Sequence, residues 1–257
     1  MKHIYGIILL LFLVSTSSVA MTIPADSVDL MKAQADSAYA NEDFEAAERI
    51  YLQLAEQGES AVVCYNLGCT YYRQDNIAKA VLWFERASQL DPSDDDIRFN
   101  LAMARGKTID RIIPRHEMFF VSAWKTLMHS HSVTEWAYWA IGAFILTLLL
   151  VALYLYCSAV ALRKVGFFGA IVTFLMSVLF NVMAYNLRNY NNTHSAGIVM
   201  EPAVTVRSTP TKSGTDLFVI HEGTRVEIKD SSMRDWAEVQ IADGKVGWIE
   251  KSTYEAI

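Results

Sequence analysis

Two uncharged apolar runs, at positions 136–162 and 165–187, constrain the fold of this chain more than any other feature. A helix needs about 20 apolar residues to cross the roughly 30 Å hydrocarbon core of a bilayer, and each run is long enough to do so. Trp136, Trp139 and Tyr185 lie near the ends of the runs, where the amphipathic rings of interfacial aromatic residues are favoured. The sequence therefore predicts two transmembrane helices, at 136–162 and 165–187.

A short basic connection joins these runs, because only Arg163 and Lys164 separate them. We expect a loop there and an antiparallel helical hairpin, with the basic tip on the cytoplasmic side of the membrane. Lys125 and Arg188 flank the outer ends of the runs, so the charge bias by itself is weak. Asn181, inside the second run, is expected to form a hydrogen bond across the hairpin.

The N-terminus favours the same orientation. Lys2 precedes a short apolar run at 4–14, and small residues follow up to Ala20. This run is too short to span a bilayer, but it has the length of a signal-peptide core. We interpret residues 1–20 as a secretory signal cleaved after Ala20, with an uncleaved anchor as the alternative. In both cases the chain that follows is exported.

The composition argues against nucleic acid as a partner. The 257 residues carry a net charge of −6, and only 19% of them are charged, against 53% that are hydrophobic. Binding to a phosphate backbone needs a basic surface that neutralises it, and this chain has an acidic balance. Much of the hydrophobic excess is concentrated in the apolar runs described above.

Residues 61–94 have the pattern of two packed antiparallel helices. Gly68 is a small residue that lets a second helix approach closely, so leucine there is expected to cost about 1–3 kcal/mol. Alanine, which helix propensity favours by about 1 kcal/mol, is expected to be nearly neutral or mildly stabilising. Ala80, Phe84 and Ala87 follow at spacings of four and three, which places them on one face of the second helix. In these positions the stretch resembles the tetratricopeptide repeat family, whose units are helical hairpins of about 34 residues.

An earlier copy of this pattern, shorter by one residue, occupies about 28–60. The letters FNLA at 99–102 repeat the letters YNLG at 65–68, which predicts a further helix after the second repeat. The resemblance thus implies repeats at 28–60 and 61–94 and a closing helix, within the region 26–112. Such arrays usually need about three repeats, so we expect the closing helix or the membrane hairpin to contribute to stability.

The C-terminal region, 196–257, alternates apolar and polar residues between turn signals, as short strands do. Asp243-Gly244 predicts a tight hairpin turn with glycine at positive φ. The region resembles a bacterial SH3-like domain at Val206, at Gly223-Thr224 and in the letters DGKVGW that end at Trp248. The predicted fold class is therefore multi-domain: all-α tetratricopeptide-repeat hairpins, a two-helix transmembrane hairpin and a small all-β SH3-like barrel.

No sequence pattern predicts a catalytic, metal or cofactor site. Gly106-Lys107-Thr108 imitates the end of a phosphate-binding loop, but Leu101 occupies the position that requires glycine. His129 and His131 are two residues apart, which directs them to opposite sides of a helix, and no further ligands cluster nearby. We therefore expect a protein that is not an enzyme.

The first helices of tetratricopeptide repeats form a concave face, and we predict that this face binds a partner. It combines aromatic residues with arginine and asparagine, which suit peptide recognition. The alternative is that these are ordinary solvated helix residues. The predicted groove consists of Lys32, Asp36, Tyr39, Tyr65, Asn66, Cys69, Tyr72, Arg73, Phe99, Asn100 and Met103, with Val62 beside them.

The order of the parts resembles the aerotolerance-operon (Bat) family of Bacteroides-type bacteria, in its repeat-bearing BatE-type members. This resemblance implies a membrane-anchored partner of von Willebrand-type proteins from the same operon, linked to oxygen or stress tolerance. Two functions remain open at this point. The first is a non-enzymatic scaffold that holds proteins at the membrane, and the second is a cell-wall module whose tail binds peptidoglycan through Trp236 and Trp248.

Reporter fusions test the predicted topology, which places 21–134 and 188–257 in the periplasm. A reporter that is active only outside the cytoplasm should be active when fused after Ile257 and silent when fused after Lys164. The physical reason is that the signal segment exports the first region and the basic tip stays inside. The reverse pattern of activity would contradict the orientation.

Overall fold

Five helices make up the first part of the computed structural model, which describes residues 25–113, 118–193 and 195–257. The predicted signal segment at 1–20 therefore lies outside the described residues. Helices α1 and α2 pack as one antiparallel pair, α3 and α4 as a second pair, and α5 covers the second pair. These helices are α1 (Ala25–Ala40), α2 (Phe44–Gln57), α3 (Ala61–Arg73), α4 (Ile77–Leu90) and α5 (Asp95–Gly106).

The two helix pairs share the same turn. Glu42 and Asp75 adopt left-handed φ angles of 63° and 60° at equivalent places in the two connections. The next residues, Asp43 and Asn76, cap α2 and α4 by accepting hydrogen bonds from amides of the first helical turn, at 3.0 and 3.2 Å. Such caps satisfy amides that have no partner within the helix. The first pair is thus a structural copy of the second.

Gly68 of α3 lies directly against the ring of Phe84 on α4. A Cβ atom at position 68 would stand 2.5 Å from Cδ1 of Phe84, and the ring itself is fully buried. Ala80 and Ala87 are also fully buried on the same side of α4. The close approach predicted at Gly68 is present. The expectation that alanine would be tolerated there was wrong, because the contact is tight enough to outweigh the helix propensity that favours alanine.

The next part of the chain is helical and mostly apolar. It comprises α6 (Phe119–Met128), α7 (Val133–Tyr156) and α8 (Val160–Thr193). Helices α7 and α8 form an antiparallel hairpin, and each is long and apolar enough to cross a membrane. Most of their apolar side chains face outward rather than into the protein. Helix α7 begins with a capping box formed by Ser132 and Glu135.

The break between α7 and α8 falls at 157–159, earlier than the boundary predicted at Arg163 and Lys164. Both basic residues lie near the start of α8, and the Arg163 guanidinium is 5.4 Å from the centre of the Tyr154 ring. The prediction that they form the loop was wrong. Charged residues mark the end of an apolar run, whereas a helix ends where its backbone hydrogen bonds stop.

Small polar side chains connect α7 and α8. The Thr147 hydroxyl donates to the Thr173 hydroxyl at 2.8 Å, and the Ser177 hydroxyl donates to the Ala140 carbonyl at 2.9 Å. Asn181, predicted to bond across the hairpin, instead donates to the Ser177 carbonyl of its own helix at 3.1 Å. That prediction was wrong because the smaller hydroxyl side chains fit between closely packed helices.

The C-terminal region forms one antiparallel sheet of seven strands in the order β3-β2-β6-β5-β4-β1-β7. Inward residues such as Val204, Val206, Ala237 and Val239 alternate with more exposed ones and form its core. Gly244 has a φ of 93°, as predicted for the turn between β5 and β6. The strands are β1 (Ala196–Val199), β2 (Ala203–Arg207), β3 (Asp216–His221), β4 (Arg225–Asp230), β5 (Trp236–Gln240), β6 (Val246–Glu250) and β7 (Tyr254–Ala256).

The sheet packs against the repeats, mainly through β1 and α4. Ile198 of β1 is fully buried within the hydrophobic cluster of the repeats, and Met200 and Ile257 pack against that cluster. The Arg86 guanidinium on α4 donates to the carbonyl of Ala256 at 2.8 Å. The two modules therefore share part of one core.

Polar contacts form a second part of the interface between the repeats and the sheet. The Asp110 carboxylate accepts hydrogen bonds from the His221 amide at 2.6 Å and from the Thr224 hydroxyl at 2.7 Å, and it lies 2.7 Å from His221 Nδ1. Burial raises the pKa of Asp110, but these hydrogen bonds outweigh burial and hold the pKa below its ordinary value. Gly223, at a φ of 79°, lets the turn approach Thr108, whose Cγ2 would be 2.6 Å from an added Cβ.

The contact at Gly68 gives a stability prediction. We expect Gly68→Ala to lower the free energy of unfolding by about 1–3 kcal/mol, since the added methyl group forces the buried Phe84 ring to move. Gly68→Leu should cost more. Urea unfolding of the solubilised full chain, followed by circular dichroism, measures both changes.

Gly106→Ala is the matched control, because nothing lies within 4 Å of a Cβ atom at position 106, also in a helix. This change should be neutral or stabilising by up to about 1 kcal/mol. Equal unfolding of the wild type and the Gly68→Ala variant would contradict the tight contact with Phe84.

Candidate partner-binding groove

A cavity of about 340 Å³ opens between the first helices of the two repeats. It is lined by Asp36 and Tyr39 from α1, by Tyr65, Asn66 and Cys69 from α3, and by Tyr51 from α2. Five of these six residues were predicted from their positions on the first helices. The structure therefore brings the middle of the predicted groove together around one depression.

The Asp36 carboxylate is the centre of a hydrogen-bond network in this cavity. It accepts bonds from Lys32 Nζ at 2.7 Å, from the Tyr51 hydroxyl at 2.5 Å and from Asn66 Nδ2 at 3.4 Å. Asn66 also donates to the Tyr51 hydroxyl at 3.2 Å. Burial raises the pKa of Asp36, but the bonds from Lys32 and Tyr51 and the charge of Lys32 outweigh it and lower the pKa below its ordinary value. The floor of the groove thus carries a fixed, ionised carboxylate.

Tyr65 forms the wall between the cavity and α5. Its ring packs 5.8 Å from that of Phe84, and its hydroxyl accepts a hydrogen bond from Asn100 Nδ2 at 3.0 Å. Burial, together with nearby Cys69 and the carboxylates of Asp96 and Asp94, raises the pKa of Tyr65 to about 12. Burial also raises the pKa of the Cys69 thiol. Both groups therefore stay neutral at physiological pH and act through packing and hydrogen bonding.

Tyr72 and Arg73 lie at the C-terminal end of α3 and already have partners within the chain. The Lys107 ammonium stands 4.2 Å from the centre of the Tyr72 ring, and the Arg73 guanidinium stands 5.3 Å from that of Phe44. Arg73 also lies 3.5 Å from a Glu42 oxygen, in an exposed ion pair. Exposed pairs of this kind contribute little to stability, so a ligand can replace them at small cost.

The α5 side of the predicted groove is apolar and open. Phe99 is 68% exposed and Val62 is 53% exposed, and Met103 is also exposed. None of the three lines the cavity around Asp36. The candidate groove thus combines a polar depression between α1 and α3 with exposed apolar side chains on α3 and α5.

Sequence reasoning missed Tyr51 and Lys107 as groove residues. Tyr51 lies on a second helix, at the position that Phe84 occupies in the other repeat, and was assigned to packing. Its hydroxyl was the available signal, because a buried tyrosine needs a hydrogen-bond partner that phenylalanine does not. Lys107 follows the closing helix, and no local pattern relates it to Tyr72.

A larger cavity, of about 580 Å³, lies between the repeats and the sheet. Two of the charged side chains around it, Asp110 and Arg225, connect the two modules. Asp110 bonds to the β3–β4 turn, and Arg105 and Arg225 both face Glu85, which is nearly buried. This cavity belongs to the interface described above, whereas the groove side chains face outward.

The sheet carries a second surface of interest. Trp236 and Trp248 are partly exposed and alternate with the buried residues Ala237 and Ile249, so both lie outside the core of the sheet. In the register of β5 and β6, Trp248 pairs with Glu238, which makes the two tryptophans diagonal neighbours on one face. Both tryptophan rings are therefore partly accessible to a ligand.

Two family models match parts of this chain. The tetratricopeptide repeat model matches residues 61–94, and the bacterial SH3 domain model matches residues 202–254. The chain therefore contains a tetratricopeptide repeat and a bacterial SH3 domain. With the two apolar helices, these matches confirm the predicted fold class. Modules of these two kinds typically mediate interactions and do not catalyse reactions.

Similarity to named proteins is limited. No curated protein sequence matches the chain. Among solved structures, the chain is similar to the Sgt2 TPR domain from Aspergillus fumigatus, at 13% identity and a TM-score of 0.31, over 66% of this chain and 83% of that one. This similarity is too low to carry an argument about function.

The Asp36 network gives a second stability prediction. We expect Tyr51→Phe to lower the free energy of unfolding by about 1 kcal/mol at neutral pH, because the hydroxyl donates to an ionised carboxylate. Asp36 has a lowered pKa, so its contribution is present above its ordinary value of 3.8 and is lost as pH falls through the folded value. The deficit should therefore shrink below pH 3.8.

Urea unfolding at neutral and acid pH measures this difference. Tyr39→Phe is the control, since the Tyr39 hydroxyl lines the same cavity but makes no hydrogen bond to another described residue. Its effect should stay within about 0.5 kcal/mol. Similar losses in the two variants would contradict a specific role for the bond between Tyr51 and Asp36.

Proposed function

We propose that this chain is a non-enzymatic, membrane-anchored scaffold whose groove binds an extended segment of a protein partner. The observation that carries the proposal is the outward-facing depression around Asp36, bordered by aromatic side chains. Its hydrogen-bond network holds the polar groups in place before a ligand arrives, which lowers the entropy lost on binding. Aromatic and arginine side chains contribute most of the energy in many interfaces, and Tyr65, Tyr72 and Arg73 lie in or beside the groove.

The proposed location is a bacterial inner membrane, with two spans and with the repeats and the sheet in the periplasm. Support comes from the apolar hairpin α7–α8, whose outward-facing surface suits lipid. Both soluble modules join the end of the hairpin opposite to Arg163 and Lys164, so the basic tip and the modules lie on different sides of the membrane.

We also propose that the chain is a BatE-type protein of an aerotolerance or stress-related envelope complex. Support comes from the order of its modules, in which repeats, an apolar hairpin and a bacterial SH3 domain follow one another. The proposed partners are other membrane or periplasmic proteins, among them von Willebrand-type proteins of the same operon.

A second candidate function is cell-wall binding through the sheet. The observation that favours it is the placement of Trp236 and Trp248 on one partly exposed face, because exposed aromatic rings can stack on sugars or on peptide groups. Peptidoglycan is then the ligand of the sheet, and the repeats have a secondary role.

The scaffold proposal predicts where substitutions abolish partner recovery. A variant that combines Tyr72→Ala, Arg73→Ala and Phe99→Ala should recover at least tenfold less partner from solubilised membranes than the wild type. This magnitude corresponds to about 1.4 kcal/mol, which one interface anchor can supply. Quantitative mass spectrometry of the affinity-purified full chain measures the recovery.

The control variant combines changes at exposed second-helix residues: Gln53→Ala, Glu56→Ala and Leu90→Ala. Glu48 and Glu85 are unsuitable controls, because Glu48 accepts a bond from Tyr71 and Glu85 is nearly buried beside Arg105. Unchanged recovery in the groove variant would contradict the groove. If Trp236→Ala with Trp248→Ala then abolishes co-sedimentation with purified peptidoglycan, the cell-wall function takes its place.

A further inference from the structure

Helix α6, between the repeats and the hairpin, has one strongly apolar face. At helical spacing, Phe119, Phe120, Trp124 and Leu127 fall within one arc, and Ala123 lies between them. All are exposed, with Phe119 at 87% and Phe120 at 65%. Exposure of several large apolar side chains to water is unfavourable, so burial of this face against an apolar partner would be stabilising.

The opposite face of α6 is polar and points to the repeats. Lys125 and Thr126, with His129 just beyond the helix, line a cavity together with Ser88 and Arg98 of the repeat region. This polar cavity has a volume of about 470 Å³. The apolar face is therefore directed away from the repeats, and the repeats do not cover it.

Helix α6 is fixed to the outer end of the apolar hairpin. Met128, its last residue, is buried in a cluster with Trp136, Met183 and Leu187 of α7 and α8. The Trp136 indole donates to the Met128 carbonyl at 3.1 Å. The exposed apolar face of α6 is therefore attached to the end of the hairpin that carries Trp136.

We propose that α6 is an interfacial helix, whose apolar face inserts into the outer leaflet of the same bilayer that α7 and α8 span. The inference rests on the membrane insertion proposed above. Lipid is the occupant that the structure favours, because this face is continuous with the lipid-facing hairpin and is rich in aromatic residues, as membrane-interface helices are. Lys125 lies on the opposite, polar face, which is directed away from the acyl chains and towards the cavity beside the repeats.

This placement sets the orientation of the repeats. With α6 parallel to the membrane surface, the polar cavity lies above the headgroups and the repeats are held close to the bilayer. A partner bound in the groove is then held near the membrane surface.

Spin labels on the full-length protein in phospholipid vesicles test the proposal. The three native cysteines, Cys64, Cys69 and Cys157, are replaced by alanine, and single cysteines are introduced by the changes Phe120→Cys, Trp124→Cys, Ser122→Cys, Thr126→Cys and Leu149→Cys. Collision rates with oxygen, which concentrates in lipid, are compared with those of a water-soluble nickel chelate. We expect the oxygen-to-nickel ratio at positions 120 and 124 to exceed that at positions 122 and 126 by at least threefold.

The label at position 149, in the middle of α7, separates the two proposals. If it is in lipid while all four α6 labels contact the aqueous reagent equally, the interfacial helix is overturned and the membrane anchor stands. If the label at position 149 is in water, both the membrane anchor and the interfacial helix are overturned. Protection of positions 120 and 124 from both reagents would show a protein on this face and would also overturn the proposal.

A second measurement keeps the native cysteines. The photoreactive residue p-benzoylphenylalanine replaces Phe120 or, as the polar-face control, Thr126 in the full chain within native membranes. We expect lipid adducts at position 120 and at least fivefold fewer at position 126. Protein adducts at position 120 without lipid adducts would overturn the proposal.

Discussion

Helices α7 and α8 pack antiparallel, so the end of α8 lies beside the start of α7, at one end of the hairpin. The rest of the structure depends on this arrangement. The connection at 157–159 is short, and hydroxyl contacts such as Thr147 with Thr173 hold the two helices in register. Without this arrangement the repeats and the sheet would lie at opposite ends of the hairpin. Their shared core is possible only because the hairpin brings together segments that are far apart in the sequence.

The sheet covers hydrophobic surface that a short repeat array leaves exposed. Two repeats leave hydrophobic surface open, and we expected the closing helix or the membrane hairpin to cover it. Helix α5 does pack on the second repeat, but Ile198 of the sheet also enters the repeat core, where it is fully buried. The sheet was not predicted in this role. Its main contact with the repeats is on α4, so the face that stabilises the repeats differs from the first-helix face proposed to bind a partner.

The predictable part of the fold depends on interactions that are close in sequence. The place of Gly68 against Phe84 follows from helical periodicity, and the helix positions of Asp36, Tyr65 and Asn66 put them in one groove. The contacts of Asp110 with the β3–β4 turn and of Arg86 with the C-terminal strand join residues more than a hundred positions apart. No local sequence pattern indicates such pairs, because each residue fits the helix, strand or loop pattern of its own module and nothing marks its partner in the other module.

The docking of the sheet on α4 has a consequence for ligands that span both modules. The groove and the face that carries Trp236 and Trp248 belong to bodies joined by a buried residue, Ile198, and by the bonds of Arg86, rather than by a flexible linker. A ligand already held by one surface meets the other at an effective concentration that this geometry fixes. If one ligand occupies both proposed surfaces, its avidity therefore depends on how well the spacing of its two binding elements matches the fixed distance between the groove and the tryptophan face.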